Sequence, residues 1–176
     1  MTDLTPLLAY RWSPRAFDPD AELTGDEAAS LLEAARWAPS TGNAQPWRFA
    51  LGHRDDETWK RILVSLPAGD QRWARHAAAL VVGAHAGLDP ERAAYDLGQA
   101  MAHLTVQATA LGLHVHQLTG LDRATLAAEL ALPPGVRPLV VAAVGRLGDP
   151  FSLPEELRHR EAALRRRRPV AALLLR

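Results

Sequence analysis

The chain has no cysteine. That excludes a disulfide scaffold, a thiolate nucleophile and a cysteine-ligated zinc, and it fits a reducing, cytoplasmic setting. Charge of one sign is not in surplus. Lys and Arg number 20 and Asp and Glu 20, so the overall field recruits neither nucleic acid nor an anionic membrane. No apolar run reaches membrane-spanning length, and Met1-Thr2-Asp3-Leu4 lacks the basic-then-apolar order of a secretory leader. Glycine-rich phosphate loops of the G-x-G-x-x-G and P-loop types are missing, as is the G-x-S-x-G nucleophile elbow. Dinucleotide-binding, nucleotide-hydrolysing and serine-hydrolase readings therefore have no anchor. Internal repeats and low-complexity linkers are absent too. What remains is 176 residues, 48% hydrophobic, enough for one compact domain over residues 1–176.

The coarse pattern mixes helices and strands. Leu4, Leu7 and Leu8 mark a short helix ending near Arg11. Thr24-Gly25-Asp26-Glu27 reads as a capping box, with Leu23 and Ala28 as a hydrophobic staple, opening a helix through Leu31, Leu32 and Ala35 to Trp37. A strand is predicted over Arg48–Leu51, then a helix from Asp55–Asp56 carrying Trp59, Ile62, Leu63 and Leu66 to a stop at Pro67. Ala79–Ala84 reads as a buried strand, and Asp89-Pro90 starts the longest helix, running to Gly112 and rich in Ala and Gly. A strand follows through Leu118, a helix capped by Asp122, and a buried strand over Leu139–Val144. Ser152-x-x-Glu155 reads as a second capping box before a polar helix ending in Arg165-Arg166-Arg167-Arg168-Pro169. The chain closes on the apolar tail Val170–Leu175, which reads as a strand.

Two stretches are not explained by packing. In Ala38-Pro39-Ser40-Thr41-Gly42-Asn43-Ala44-Gln45-Pro46-Trp47, two prolines fix the backbone around a run of small hydrogen-bonding side chains. In Arg11-Trp12-Ser13-Pro14-Arg15-Ala16-Phe17, two arginines flank a serine, a pairing suited to phosphate because guanidinium forks match its oxygens. Read singly, the first is a helix-to-strand connection and the second a pair of solvated arginines. His114-x-His116 places two imidazoles on one face of a strand, but no third ligand has supporting spacing, so no metal is expected. The four-arginine run alone suggests a nucleic-acid patch, but it is isolated, the rest of the chain cancels its charge and no aromatic residue interleaves it.

Together the R-x-S-x-R-x-F segment, the helix after it and A-P-S-x-x-N-x-Q-P-W resemble the FMN-dependent nitroreductase family, and Asp96-Leu97-Gly98-Gln99-Ala100 with Ala110-Leu111-Gly112-Leu113 is similar to that family's central-helix pattern. The resemblance implies an α+β fold, a small mixed, largely antiparallel sheet flanked by helices, in a homodimer whose C-terminal strand is exchanged between subunits. It implies FMN held at the subunit interface. Arg11 and Ser13, with Arg165 and Arg167, would hold its phosphate, Trp12 would be among the cofactor-binding residues, and Arg15 would face the pyrimidine edge. Pro39, Ser40, Thr41 and Asn43 would come from the second subunit, and Gln117, Leu118, Thr119 and Gly120 would run along the ring with backbone N–H groups at N5. The family often has an acidic residue where Thr119 stands, a departure that bears on acceptor preference. The implied reaction is ping-pong hydride transfer from NAD(P)H through the flavin to a small acceptor such as a nitroaromatic or quinone, with no catalytic side chain required. Relatives that dehalogenate, dehydrogenate or fragment flavin, a flavin carrier without turnover, and a non-flavin interaction module stand as alternatives. The interval Pro67–Ala78 is too short for the helices that roof larger members, which makes Trp73 the expected apolar wall of an open acceptor pocket.

Overall fold

The computed structural model describes residues 4–175. Met1-Thr2-Asp3, read above for a leader, and Arg176, which ends the apolar tail, lie outside the described residues.

Helix α1 (Pro6–Ala9) leads into the arginine-serine turn. Helix α2 (Gly25–Arg36) begins at the predicted capping box. The Glu27 N–H donates to Thr24 Oγ1 at 3.2 Å, and the Thr24 N–H donates to Glu27 Oε2 at 2.9 Å. Strand β1 (Trp47–His53) is longer than predicted at both ends, and α3 (Glu57–Val64) follows, capped by Asp56 through the Trp59 N–H at 2.6 Å. Gly52 explains how closely α3 lies on β1: a Cβ there would stand 2.2 Å from the Trp59 backbone nitrogen. Helix α4 (Ala68–Ala74) fills the segment that carries Trp73, and β2 (Ala79–His85) is buried throughout. The long helix α5 (Pro90–Ala110) starts at Asp89, whose side chain accepts from the Arg92 N–H. Strand β3 (His114–Leu118), α6 (Arg123–Glu129), β4 (Arg137–Gly145) and α7 (Glu155–Glu161) complete the order.

The four strands form one sheet in the order β1-β2-β4-β3. Every pairing is antiparallel, so the mixed sheet expected from the family resemblance is not seen among the described strands. The central strands β2 and β4 are buried on both faces. One face packs Val81, Val115, Ala142 and Val144 against Leu31 of α2 and Leu97, Met101 and Leu104 of α5. The other packs Leu80, Val82, Val141 and Ala143 against Trp59, Ile62 and Trp73. Such double coverage makes β2 and β4 read as continuous apolar runs rather than alternating ones.

One expectation fails locally. Ser152 does not cap α7: it sits in a 3₁₀ turn, Pro150–Ser152, where its hydroxyl donates to the Asp149 carbonyl at 2.7 Å. Pro154 occupies the N-cap of α7 with no side-chain cap bond, so the S-x-x-E spacing is used by a turn instead. The apolar tail does not pair as a strand within the chain. Val170–Leu173 is a 3₁₀ turn, with Val170, Leu173 and Leu174 exposed. Among the described residues no helix is long and apolar enough to cross a membrane.

The register sets which groups share one end of the sheet. Trp47 stands opposite His85, His85 opposite Arg137, and Leu118 opposite Val141. The loop before β1, the end of β2, the start of β4 and the exit of β3 through Thr119–Gly120 thus lie along one rim.

Candidate functional site

The two ends of the chain meet at a pocket of about 260 Å³. Arg11, Ser13 and Arg15 line it from the N-terminal motif, and Arg160, Arg165 and Arg167 from the C-terminal segment. Trp12 completes a wall, its ring edge-on to that of His114 at 6.1 Å.

The turn that presents Arg11 to Arg15 is fastened from three sides. The Arg165 guanidinium donates to the carbonyls of Arg11 and Ala9. His116 Nδ1 lies 3.1 Å from the Ser13 carbonyl and 3.0 Å from that of Pro14. Carbonyls only accept, so the proton of His116 is on Nδ1. Burial pushes the His116 imidazole below its ordinary pKa, Arg15 adds to this, and the two carbonyls oppose it. The third fastening is Glu161, at the end of α7. Its Oε1 accepts the Arg15 N–H at 2.9 Å and the Ala16 N–H at 3.1 Å, and its Oε2 lies 3.0 Å from the Arg15 nitrogen.

Among the described residues Glu161 is the one carboxylate lining this pocket, set against five arginines, and it is already engaged by backbone N–H groups. Burial lowers the pKa of Arg11, and repulsion from Arg165 and Arg167 lowers it further. Arginine stays charged regardless, so the crowding is an electrostatic cost that a bound anion would relieve. Guanidinium forks beside a serine hydroxyl suit a phosphate dianion. Arg11 Nη1 already donates to Ser13 Oγ at 3.2 Å, which holds the two in one orientation.

The Pro39–Asn43 stretch does not border that pocket within one chain. It is instead anchored to α5. The Thr41 N–H lies 3.2 and 3.1 Å from the two oxygens of the buried Asp96 carboxylate, and the Thr41 hydroxyl is 3.3 Å from Oδ1. Ser40 Oγ accepts the Gln45 N–H at 3.0 Å. Gly42, Asn43 and Gln45 all have positive φ, at 59°, 56° and 48°. Left-handed backbone at a non-glycine residue costs on the order of 1–3 kcal/mol and persists where surrounding contacts impose it. The loop is thus pinned by its own contacts, with Ser40 half-buried and Thr41 and Asn43 exposed.

On the rim, Gln117 Nε2 donates to Thr105 Oγ1 at 2.9 Å, while Leu118 is buried and Thr119 and Gly120 are exposed. Among the described residues the N–H groups of Thr119 and Gly120 have no backbone partner.

Trp73 is not a pocket wall. Its side chain is 1% exposed, stacked on Phe17 at 6.2 Å and set against the His116 ring at 4.7 Å, with Nε1 donating to Asp70 Oδ1. Helix α4 turns the Pro67–Ala78 segment inward, so the large apolar ring goes where the most water-exposed area is removed. Glu161, His116 and Asp96 were missed as positioning groups by sequence reading. Only the ends of their hydrogen bonds identify them, and those lie between 55 and 146 residues away along the chain.

Comparison with known proteins bears on the family and the fold. A family model described as "Nitroreductase family" matches residues 8–66. A relative from Mycolicibacterium smegmatis, an uncharacterized 15.4 kDa protein in the ask 5' region, is 34% identical over 131 residues, covering 68% of this chain and 88% of its own. A solved structure of an oxidoreductase containing FMN superposes with a TM-score of 0.90 at 34% identity, over 98% of this chain and 91% of that one. The chain belongs to the nitroreductase family. Within the family, an oxygen-insensitive NAD(P)H nitroreductase of Salmonella typhimurium is 33% identical over 54 residues, 31% of this chain and 25% of that protein.

Proposed function

We propose that this nitroreductase-family chain is a single FMN-binding domain that works as a homodimer, an oxidoreductase using NAD(P)H to reduce a small acceptor such as a nitroaromatic or quinone. The observation that carries the reading is the arginine pocket built from both ends of the sequence. Arg11, Arg167 and Ser13 hold the phosphate of FMN there, while Arg165 divides its donors between that group and the carbonyls of the turn. Arg15 is kept in place by Glu161 through its backbone and faces the pyrimidine edge, where a fixed positive charge favours the reduced cofactor. The unpartnered N–H groups of Thr119 and Gly120 supply donors to the ring edge. Pro39, Ser40, Thr41 and Asn43 reach the same site from the second copy, held outward by Asp96.

When bound, FMN supplies two-electron transfer between a nicotinamide and an acceptor, which leaves the protein to bind, orient and exclude water. No side chain has to act as acid or base. The test is the visible spectrum of freshly purified protein. A yellow protein with about one FMN released per chain, bleached by NAD(P)H under nitrogen, is expected. A colourless protein that takes up no added FMN would refute the reading, and a yellow protein that NAD(P)H leaves unbleached would make it a flavin carrier.

A further inference from the structure

A second pocket, of about 530 Å³, opens where the end of β2 and the start of β4 meet the first turns of α5 and α6. His85, Arg123 and Arg137 line it, with Glu91 as its one carboxylate. His85 and Arg137 are cross-strand partners, and Arg123 begins α6 three residues after Gly120. The pocket therefore sits on the same rim as the Thr119–Gly120 segment and is separate from the arginine pocket described above.

His85 is 5% exposed and its ring makes no protein hydrogen bond among the described residues, so what solvent contact its nitrogens keep is through this pocket. Neither Arg123 nor Arg137 joins an ion pair among the described residues, and Glu91 pairs with neither. Burial, Arg137 and Arg123 all push the His85 pKa down, so the ring is neutral near pH 7. It therefore offers one N–H donor while the guanidinium groups supply the charge. A neutral donor at the base and two mobile forks at the mouth match a carboxylate or phosphate.

We propose that the His85–Arg123–Arg137 pocket is an anion subsite that takes the carboxylate or phosphate of a small reactant. A concave pocket of this volume suits a small molecule rather than a polymer surface. The site does not depend on FMN. It goes beyond the reductase reading by giving a reactant on this rim an acidic handle.

The test is calorimetric titration of the intact protein with pyrophosphate and, separately, with benzoate. It uses wild type, Arg123→Gln/Arg137→Gln, and Arg11→Ala/Arg167→Ala, which removes the other basic pocket. Both arginines of the second pocket are exposed, and retained melting temperature confirms that the variant is folded. At least one of the two anions should bind saturably in Arg11→Ala/Arg167→Ala and at least tenfold more weakly in Arg123→Gln/Arg137→Gln. The same anion should move the imidazole NMR signal of His85, assigned by its loss in His85→Gln. Tighter pyrophosphate identifies a phosphate ligand, tighter benzoate a carboxylate; either outcome supports the site. Absence of binding in Arg11→Ala/Arg167→Ala, unchanged binding in Arg123→Gln/Arg137→Gln, or a His85 signal indifferent to both anions overturns it. FMN uptake is read separately by absorbance, so failure of one proposal is not mistaken for failure of the other.

Discussion

Glu161 presents an apparent contradiction, a carboxylate placed among arginines that are to hold an anion. Its oxygens face the Arg15 and Ala16 N–H groups, so its charge is spent on the backbone and it ties α7 to the N-terminal turn. Glu161→Ala leaves two partly buried N–H groups unpaired. It should lower stability by about 2 kcal/mol and weaken FMN, with Glu161→Gln restoring much of both. Urea denaturation and flavin titration of the two variants check this; equal behaviour of Ala and Gln would contradict the latch. Trp73→Ala should cost about 3–5 kcal/mol through the cavity it opens, with no separate effect on acceptor KM. Four histidines, His76, His85, His114 and His116, have pKa values pushed below 6.5, with burial the largest cause in each. Below that value the unfolded chain takes up protons that the folded rings refuse. Their contribution to stability is therefore full above pH 6.5 and is lost as pH falls towards the depressed values. The urea midpoint should be lower at pH 5.5 than at 7.5, and His116→Asn should shrink the difference. A midpoint unchanged or higher at pH 5.5 would contradict this.

At the level of elements, Gly52 is the point where α3 presses on β1. Gly52→Ala forces a methyl into the Trp59 backbone and should cost about 3 kcal/mol, the upper end of overpacking penalties. Thermal melting should register that as a fall on the order of 6–12 °C; an unchanged midpoint would show that α3 shifts freely. Elements whose signals are local were legible in the sequence. Thr24 with Glu27, Asp56 and Asp89-Pro90 each start a helix, because a cap needs only neighbours within three residues. The same rule misled at Ser152, where Pro150 and Pro154 turn the chain twice and the hydroxyl finds Asp149 first. Trp73 was misplaced for a different reason. Spacing shows that a ring is present in a short segment but not which way α4 turns it, and the decision lies with Phe17 and His116, distant in sequence. The arginine pocket was legible as two motifs in known company. Its fastening by Glu161 and His116, and the anchoring of the Ser40–Asn43 loop by Asp96, were not, since long-range hydrogen bonds leave no local pattern.

Across the whole molecule, the exposed faces fit the second copy we propose. The tail from Val170 to Leu175 places apolar side chains in water with no covering element of its own chain, and Tyr95 on α5 is likewise exposed. In the dimer we propose, the tail lies on the partner. Removing residues 170–176 should then cause aggregation or loss of flavin, as seen by size-exclusion chromatography with absorbance at the flavin band. A soluble, flavin-loaded monomer would contradict the exchange. In the function we propose, the two ends of the chain close on the phosphate of FMN. The most direct test of that closure compares FMN with riboflavin binding in wild type, Arg11→Ala and Arg167→Ala. Each arginine supplies a charged hydrogen bond worth about 1.5–3 kcal/mol, roughly 12- to 150-fold in affinity. The account predicts that each variant loses that much for FMN and little for riboflavin; equal loss for both ligands, or none for either, would contradict it.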